Sequence, residues 1–209
     1  MTLVIVDYGI GNVLSIANML RSASVKATVS SDPDVIRGAS RLIIAGVGAF
    51  DAGMDHLNSR GLVPLLRDAV FERHVPVLGI CLGMQLLMRS SEEGSREGLG
   101  WIDGRSVRIR GNGPTALKVP HMGWNEIEPV RASPIVAGLL ENTRFYFAHS
   151  YAVQCANPAD VIANTIYGDA FPAIVSHGHV YGVQFHPEKS HRYGRKLLDN
   201  FAKADLNGC

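Results

Sequence analysis

The sequence predicts an α/β protein with a largely parallel sheet that is flanked by helices and extended by antiparallel strands. Short apolar runs, which are typical of buried parallel strands, alternate with helical patterns through residues 1–90. From residue 101 onward, segments of β character separated by turn residues predominate, until a last helical pattern at residues 191–204. No internal repeat, low-complexity run or linker interrupts the chain, so we expect residues 1–209 to form a single domain.

The first half of the chain carries the alternation of strands and helices. Apolar runs predict four strands, at residues 3–6, 26–29, 41–45 and 75–80. Helical spacing of apolar residues predicts helices at residues 12–22, 62–74 and 82–88. Because helices connect these strands, the strands should be parallel and a ligand should bind at their carboxyl ends.

The second half of the chain predicts antiparallel strands attached to the same domain. Segments of β character lie at residues 101–110, 118–130 and 144–153, and a turn is expected at residues 111–114. Residues 172–176 and 180–185 should form a hairpin around His177 and His179. No cysteine or carboxylate cluster accompanies these two histidines, so we interpret them as turn residues and predict no metal site and no cofactor.

Composition and charge exclude several classes of protein. The net charge of +1 gives no electrostatic reason to expect a nucleic acid or a membrane surface as partner. The three cysteines are widely spaced and odd in number, which argues against a disulfide framework and favours a reducing compartment. The sequence shows no signal peptide and no apolar run long enough to span a bilayer, so we expect a cytoplasmic protein.

Cys81 occupies the most informative position in the sequence. It follows the apolar run at residues 75–80 and precedes a helical pattern, with Gly79 and Gly83 two residues away on each side. This is the cysteine form of the G-x-S-x-G nucleophile elbow, in which glycines let strand and helix approach closely. The turn would place the sulfur at a helix N-terminus, where the dipole and free N–H groups favour a thiolate. A buried structural cysteine is the alternative for an isolated Cys.

His186 and Glu188 can complete a catalytic triad with Cys81. Residues i and i+2 of an extended segment point to the same side, so Glu188 can lie beside the His186 imidazole. A carboxylate on one ring nitrogen fixes the tautomer, and the other nitrogen can then face the thiol. The chain order Cys, His, Glu differs from that of the α/β-hydrolases, where the acid precedes the histidine.

Two glycine loops follow predicted strands. Gly46, Val47 and Gly48 end the strand at 41–45, where backbone N–H groups unobstructed by side chains could stabilise an oxyanion. Gly9 and Gly11 precede the first helix, but residue 14 is Leu, so the G-x-G-x-x-G phosphate pattern is incomplete. We interpret this second loop as an exposed segment for a partner or for access to the site.

These motifs together resemble a known family. Gly-Ile-Cys-Leu-Gly-Met-Gln at residues 79–85 and Phe-His-Pro-Glu at residues 185–188 resemble the class I (triad) glutamine amidotransferases. The stretches at residues 7–12, 46–50, 121–125 and 146–151 are similar to those of the glutaminase subunits of imidazole glycerol phosphate synthases, in the family's order. The resemblance covers nearly the whole chain and implies a flavodoxin-like, class I glutamine amidotransferase fold.

The resemblance implies a glutaminase reaction. The Cys81 thiolate would attack the side-chain amide of L-glutamine, and His186, held by Glu188, would protonate the departing ammonia. His186 would then activate the water that hydrolyses the γ-glutamyl thioester. The backbone N–H groups of Leu82 and of the 46–48 loop would stabilise the oxyanion. The residues that match substrate-binding positions are Gln85, Glu93, Ser150 and Tyr151.

The resemblance also implies a protein partner. In the family, ammonia passes to a separate (β/α)₈ cyclase subunit, which forms imidazole glycerol phosphate and aminoimidazole carboxamide ribotide for histidine biosynthesis. The two subunits form a heterodimer, and glutaminase activity is low until the cyclase binds its ligand. The residues expected to face the cyclase are Tyr8, Gly9, Gly11, Asn12, Met122, Trp124 and Asn125.

One departure from the family keeps alternatives open. The family usually has proline before Gly-Val-Gly, where this chain has Ala45. Proline would restrict φ and remove a donor, so Ala45 should leave the oxyanion loop freer. A triad amidotransferase serving a different synthase, a γ-glutamyl hydrolase, a catalytically silent regulatory subunit and a cysteine peptidase are the competing interpretations.

Overall fold

The computed structural model describes residues 2–110 and 117–206, so the turn expected at residues 111–114 lies outside the described residues. The described strands are β1 (Leu3–Val6), β2 (Ala27–Ser30), β3 (Arg41–Gly46), β4 (Val77–Cys81), β5 (Ser90–Ser91), β6 (Gly104–Arg108), β7 (His121–Glu126), β8 (Glu128–Pro129), β9 (Arg144–His149), β10 (Tyr151–Cys155), β11 (Val161–Tyr167), β12 (Asp169–His177) and β13 (Val180–Val183). The helices are α1 (Val13–Ser22), α2 (Pro33–Arg37), α3 (Phe50–Ser59), α4 (Leu62–Phe71), α5 (Leu82–Leu86) and α6 (His191–Lys203). Short 3₁₀ helices lie at Pro134–Val136, Pro158–Asp160 and Pro187–Lys189.

The main sheet confirms the predicted mixture of parallel and antiparallel strands. Its order is β2-β1-β3-β4-β13-β12-β11-β8. Strands β1 to β4 are parallel to one another and β13 is parallel to β4, whereas β12, β11 and β8 continue the sheet in antiparallel pairings. A three-stranded sheet, β10-β6-β5, and the hairpin-like pair β7-β9 form the β extension.

Two apolar cores cover the two faces of the parallel strands. Successive residues of a strand point to opposite faces, so Ile5, Ile43 and Leu78 pack in one core while Val4 and Ile44 pack in the other. All of these side chains are excluded from solvent. This two-sided burial explains why the strands are apolar runs rather than alternating patterns. Within the described residues, no helix is long and apolar enough to cross a membrane.

Several elements of the structure differ from the sequence prediction. Helix α3 was not predicted, although Phe50, Met54 and Leu57 form its buried face, because Gly53 and its polar neighbours weaken the helical pattern. Strand β11 was also not predicted. The predicted segment 144–153 contains two strands that belong to different sheets and are separated by Ser150.

The carboxyl ends of β1, β3 and β4 meet at one edge of the main sheet. Because these strands are parallel and adjacent, the loop at residues 7–12, the loop after Gly46 and the turn at Cys81 all lie at this edge. In the register of β3 and β4, Gly46 is the partner of Cys81. The fold thus brings two segments with predicted catalytic roles to the position where α/β proteins bind ligands.

Candidate active site

Cys81 lies on a strained turn between β4 and α5. Its backbone has φ 54° and ψ −109°, a conformation that is rare for a residue with a side chain. Its side chain is buried, and the helix that follows begins at Leu82. Backbone strain of this kind persists only where the surrounding structure imposes it, and it is concentrated at functional sites. The geometry agrees with the predicted nucleophile elbow.

Gly79 and Gly83 are required by the close approach of α5 to the sheet. A Cβ atom on Gly79 would lie 2.7 Å from the carbonyl carbon of Gly83, and one on Gly83 would overlap the carbonyl oxygen of Ile44. Neither position has room for a side chain, because the obstructing atoms belong to the backbone. The glycine spacing in the sequence therefore reflects the packing that presents Cys81.

His186 and Glu188 form the second half of the site. The Nδ1 atom of His186 lies 2.8 Å from Oε1 of Glu188, and both side chains are almost completely buried. The backbone N–H of His186 donates to the carbonyl of Tyr146, and the Ser190 hydroxyl donates to the carbonyl of His186. The imidazole is therefore fixed both by its own backbone and by the carboxylate.

The electrostatic surroundings of His186 favour its protonated form. Burial lowers the pKa of the imidazole, but hydrogen bonds with Cys81 and Glu188, together with the negative charges of these two groups, raise the pKa to about 10. At neutral pH the arrangement is an imidazolium between a sulfur and a carboxylate. Such a group can donate a proton to a leaving group without first having to acquire one.

A cavity of about 430 Å³ opens beside Cys81. Of the predicted oxyanion and substrate residues, those that line it are Val47, Gly48, Leu82, Gln85, Glu93, Ser150 and Tyr151. Gly46 does not line the cavity, because it is buried at the end of β3 opposite Cys81. The structure thus brings residues from the loop after β3, from α5, from the 92–100 loop and from β10 around one sulfur atom.

Gln85 and Gln184 connect the cavity wall with the nucleophile. Gln85 Nε2 donates to the carbonyl of Tyr151 at 3.0 Å and to Oε1 of Gln184 at 3.3 Å. Gln184 Nε2 in turn lies 3.9 Å from the sulfur of Cys81. No sequence motif predicts a role for Gln184. Its position directly before Phe185-His186 in an otherwise apolar segment was the available signal, since a completely buried amide requires hydrogen-bond partners.

Glu93 places a carboxylate at the cavity wall. Its Oε2 accepts a hydrogen bond of 2.8 Å from the backbone N–H of Phe50, the first residue of α3. The loop after Glu93 is held by Asp51, whose carboxylate accepts from the backbone N–H groups of Ser95 and Arg96. These backbone hydrogen bonds lower the pKa of Asp51. The position of the Glu93 carboxylate is therefore set both by the first residue of α3 and by the loop that Asp51 holds.

Most of the predicted partner residues lie at the surface, but Tyr8 does not. Met122 and Trp124 are exposed by 64% and 45%, and Gly9 and Asn12 are also exposed. The Trp124 ring stacks on His191 at a centroid distance of 5.3 Å. Gly11 and Asn125 are half-buried.

The expectation that Tyr8 belongs to an exposed loop is wrong for its side chain. Tyr8 is completely buried, and its hydroxyl lies against the Cα of Gly46 so closely that a Cβ there would overlap it. The tyrosine ring packs in the core next to Gly46, whereas Gly9 is exposed and Gly11 is half-buried. The motif predicts an exposed loop, but the side chain of Tyr8 is buried.

Comparison with known proteins agrees with this geometry. Residues 4–204 match the family model of the class I glutamine amidotransferases. Imidazole glycerol phosphate synthase subunit HisH 2 of Pseudomonas aeruginosa is 47% identical over 96% of this chain and 98% of the relative. The protein of the same description from Methanococcus maripaludis is 46% identical over 95% of this chain and 98% of the relative.

Solved structures share the fold at low sequence identity. A glutamine amidotransferase superposes with a TM-score of 0.70 at 20% identity, over 93% of this chain and 98% of that chain. The PurLQS structure from Thermotoga maritima gives a TM-score of 0.67 at 19% identity, over 96% of both chains. The chain therefore belongs to the class I glutamine amidotransferases, within the family formed by the HisH subunits of imidazole glycerol phosphate synthase.

Proposed function

We propose that the protein hydrolyses L-glutamine to glutamate and ammonia and delivers the ammonia to a cyclase subunit in histidine biosynthesis. The observation that carries this proposal is the buried pair of His186 and Glu188 at 2.8 Å, whose imidazole interacts electrostatically with Cys81 on its strained elbow. The relatives are subunits of imidazole glycerol phosphate synthase, and they match this chain over nearly its whole length.

In the first half of the reaction, Cys81 is the nucleophile. Its thiolate forms a C–S bond with the δ-carbon of glutamine, and the carbonyl oxygen becomes an oxyanion. We propose that the backbone N–H groups of Leu82 and of the Val47–Gly48 segment, residues that line the cavity, stabilise that charge. When the tetrahedral intermediate collapses, the C–N bond breaks and the His186 imidazolium transfers its proton to the departing nitrogen, which leaves as ammonia.

In the second half, a water molecule cleaves the thioester. Neutral His186 takes a proton from the water as it attacks the same carbon, and the C–S bond then breaks to release glutamate and restore the thiolate. Glu188 keeps the imidazole in the required tautomer and stabilises its positive charge in both steps. The acidic side chain of Glu93 suits the α-ammonium group of glutamine, and Gln85, Ser150 and Tyr151 supply further polar contacts.

The exposed apolar residues beside the cavity form the proposed cyclase surface. Met122 lines the cavity and is 64% exposed, and Val47 lines it and is 47% exposed. With the neighbouring Trp124 they make an apolar rim of the kind that anchors protein interfaces. We propose that a (β/α)₈ cyclase subunit binds here as the partner in a heterodimer, so that ammonia leaves the cavity toward the cyclase and not into bulk water.

Steady-state glutamate release tests the proposal. We expect a low rate from the protein alone and a large rise when the cyclase subunit and its nucleotide ligand are both added. Cys81→Ala should abolish the rate, whereas Cys155→Ala, at a half-buried cysteine outside the cavity lining, should leave it unchanged. A rate that is unchanged by Cys81→Ala would sink the proposal. A high rate that ignores the partner would contradict the gating and point to a different synthase.

A further inference from the structure

Two buried histidines outside the proposed triad lie against the glutamine cavity. His121 on β7 and His149 at the end of β9 are partners in the antiparallel register and are exposed by 2% and 6%. His121 Nδ1 lies 3.1 Å from His149 Nε2. His149 lines the cavity, whereas His121 lies behind it, stacked between Phe147 and Tyr167. No step of the proposed reaction uses either imidazole.

The cavity end of this pair fixes the direction of its hydrogen bonds. His149 Nδ1 lies 2.8 Å from the carbonyl oxygen of Tyr151, and a carbonyl can only accept, so Nδ1 carries the proton. Burial keeps His149 neutral, and its pKa falls to about 3. A neutral imidazole has a single N–H, so His149 Nε2 must accept, and His121 Nδ1 must donate to it.

The contacts of His121 at the other end of the histidine pair lead independently to the same tautomer for His121. Asn125 Oδ1 accepts from the backbone N–H of Glu126, and Asn125 Nδ2 donates to the carbonyl of Ile166 at 2.8 Å. The amide orientation is thus fixed, and its nitrogen faces His121 Nε2 at 3.3 Å as a donor. His121 Nε2 must therefore accept, which again leaves the proton on Nδ1. Burial lowers the pKa of His121 to about 4, so it too is neutral.

The hydrogen-bond chain continues from the Tyr151 carbonyl to the nucleophile. The second lone pair of this carbonyl accepts from Gln85 Nε2, whose other hydrogen goes to Gln184 Oε1. Gln184 Nε2 then lies beside the Cys81 sulfur. Both Nε2 hydrogens of Gln85 are used, so only its Oε1 remains free for a ligand.

We propose that His121 and His149 are positioning residues that act through the Tyr151 carbonyl to hold Gln85 in one orientation. In that orientation Gln85 presents an acceptor to the N–H groups of an amino-acid substrate, and it cannot rotate to present a donor. This inference deepens the proposed function and rests on it for its kinetic consequence. The tautomers of the two histidines, in contrast, follow from the hydrogen bonds alone.

Nitrogen-15 NMR of the histidine side chains tests the tautomers without any assay of activity. We expect His121 and His149 both to carry the proton on Nδ1, with unprotonated Nε2, and to show no titration near the ordinary pKa of about 6.5. Single substitutions of each histidine assign the signals. An Nε2–H tautomer for either residue, or a titration near neutral pH, would overturn the relay.

Kinetics with a pair of His121 variants tests the positioning role. His121→Phe keeps a ring between Phe147 and Tyr167 but removes both nitrogens, whereas the amide of His121→Asn can place a donor near the position of Nδ1. With the cyclase bound, we expect His121→Phe to raise the KM for glutamine about tenfold, with a much smaller change in kcat, and His121→Asn to recover most of the loss.

The outcomes separate this inference from the proposed function. An unchanged KM in folded His121→Phe protein, or a loss confined to kcat, would overturn the positioning role while the glutaminase reaction stands. If His121→Phe fails to fold, the KM of His121→Asn and the tautomers of the wild-type protein decide. A KM for glutamine that is ten times higher in His121→Asn would count against a donor at Nδ1. Absence of glutamine hydrolysis in every protein, wild type included, would instead remove the proposed function.

Discussion

The Nδ1 atom of His186 and the Oε1 atom of Glu188 are 2.8 Å apart, and both side chains are almost completely excluded from water. The other carboxylate oxygen, Glu188 Oε2, is buried without a hydrogen-bond partner among the described residues. The hydrogen bond with the imidazole is therefore the main interaction that offsets the cost of removing this carboxylate from water. The carboxylate in turn helps to keep the imidazole protonated.

Replacing Glu188 by Gln should slow the chemistry and leave substrate binding largely intact. The neutral amide can still accept from Nδ1, but it no longer stabilises the imidazolium that protonates the leaving nitrogen. We expect kcat to fall about 10²-fold or more, measured as glutamate release with the cyclase bound. Lys189→Gln, one residue away, is the matched control and should retain the triad geometry. A kcat only a few times lower than that of the wild type would show that Glu188 is not needed for the chemistry.

The same substitution should also change how stability depends on alkaline pH. Folded His186 keeps its proton to about pH 10, whereas an unfolded histidine releases it near pH 6.5. Between these values the folded state binds more protons, so this contribution to stability is complete below about pH 6.5 and is lost as the pH rises through about 10. Urea unfolding across this range should show a smaller alkaline loss in Glu188→Gln, because its folded pKa is lower. An identical loss in both proteins would contradict the assigned pKa.

Acid should destabilise the protein through His121 and His149. Their pKa values fall to about 4 and about 3 in the folded state, so between these values and about 6.5 the unfolded chain binds more protons. Stability should therefore decrease as the pH falls below about 6.5. His121→Asn should reduce this acid sensitivity in urea unfolding curves. An acid sensitivity in His121→Asn equal to that of the wild type would contradict the folded pKa of His121.

Replacing Gly83 by Ala should disrupt the elbow. The added Cβ would overlap the carbonyl oxygen of Ile44, and neither backbone can move without displacing a central strand. We expect a loss of about 3 kcal/mol or more in the free energy of unfolding. Gly38→Ala is the control, because Gly38 has φ −77° and only ordinary contacts, at 3.6 Å and beyond. Similar stabilities for the two variants would show that α5 does not pack as described.

Replacing Tyr8 by Phe should stabilise the protein. The Tyr8 hydroxyl is buried and has no hydrogen-bond partner among the described residues, and burial followed by the charge of Cys81 raises its pKa, so it stays protonated. Removing an unsatisfied buried hydroxyl should raise the free energy of unfolding by about 1 kcal/mol. Tyr167→Phe should instead lower the free energy of unfolding, because the Tyr167 hydroxyl donates to the carbonyl of Lys118 at 2.8 Å. A loss of stability in Tyr8→Phe would reveal a partner for this hydroxyl.

Replacing Trp124 by Ala should weaken binding of the cyclase subunit. An aromatic anchor at the centre of an interface contributes about 2 kcal/mol or more, which corresponds to a Kd at least about 30-fold higher. Phe71→Ala is the matched control, because Phe71 is 44% exposed, compared with 45% for Trp124. Phe71 ends α4, which leads to the amino end of β4 and so lies at the opposite edge of the sheet. Equal affinities of the two variants for the cyclase subunit would show that Trp124 does not lie at the centre of the interface.

The local features of the fold and site were predictable, because short sequence patterns determine them. The apolar run, the two glycines and Cys81 lie within nine residues, and their covalent order already implies a strand, a tight turn and a helix. Helix α3 was not predictable from propensity, because Gly53 weakens it. The structure shows that Gly53 permits α3 to approach Leu82 and Leu86 closely, a tertiary reason that the segment itself does not contain.

The hydrogen-bond chain behind the cavity could not be predicted from the sequence. Gln85 and Gln184 are separated by 99 positions and meet only because β13 pairs with β4. The roles of His121 and His149 depend likewise on the register of β7 with β9. The exposure of Tyr8 was wrongly predicted for a similar reason, since a loop motif specifies the backbone turn but not which side chain turns inward.

The most direct test of the central claim is to search for the γ-glutamyl thioester. The complex with the cyclase and its ligand is denatured in acid during turnover of glutamine, and its peptides are mapped by mass spectrometry. We expect the γ-glutamyl group on Cys81 and not on Cys155, whose pKa is raised to about 12 by burial and by Asp160, so that it stays a thiol. His186→Asn should change the amount of the adduct but not its position. Glutamate formation without an adduct on Cys81, or with one on another residue, would contradict the proposed mechanism.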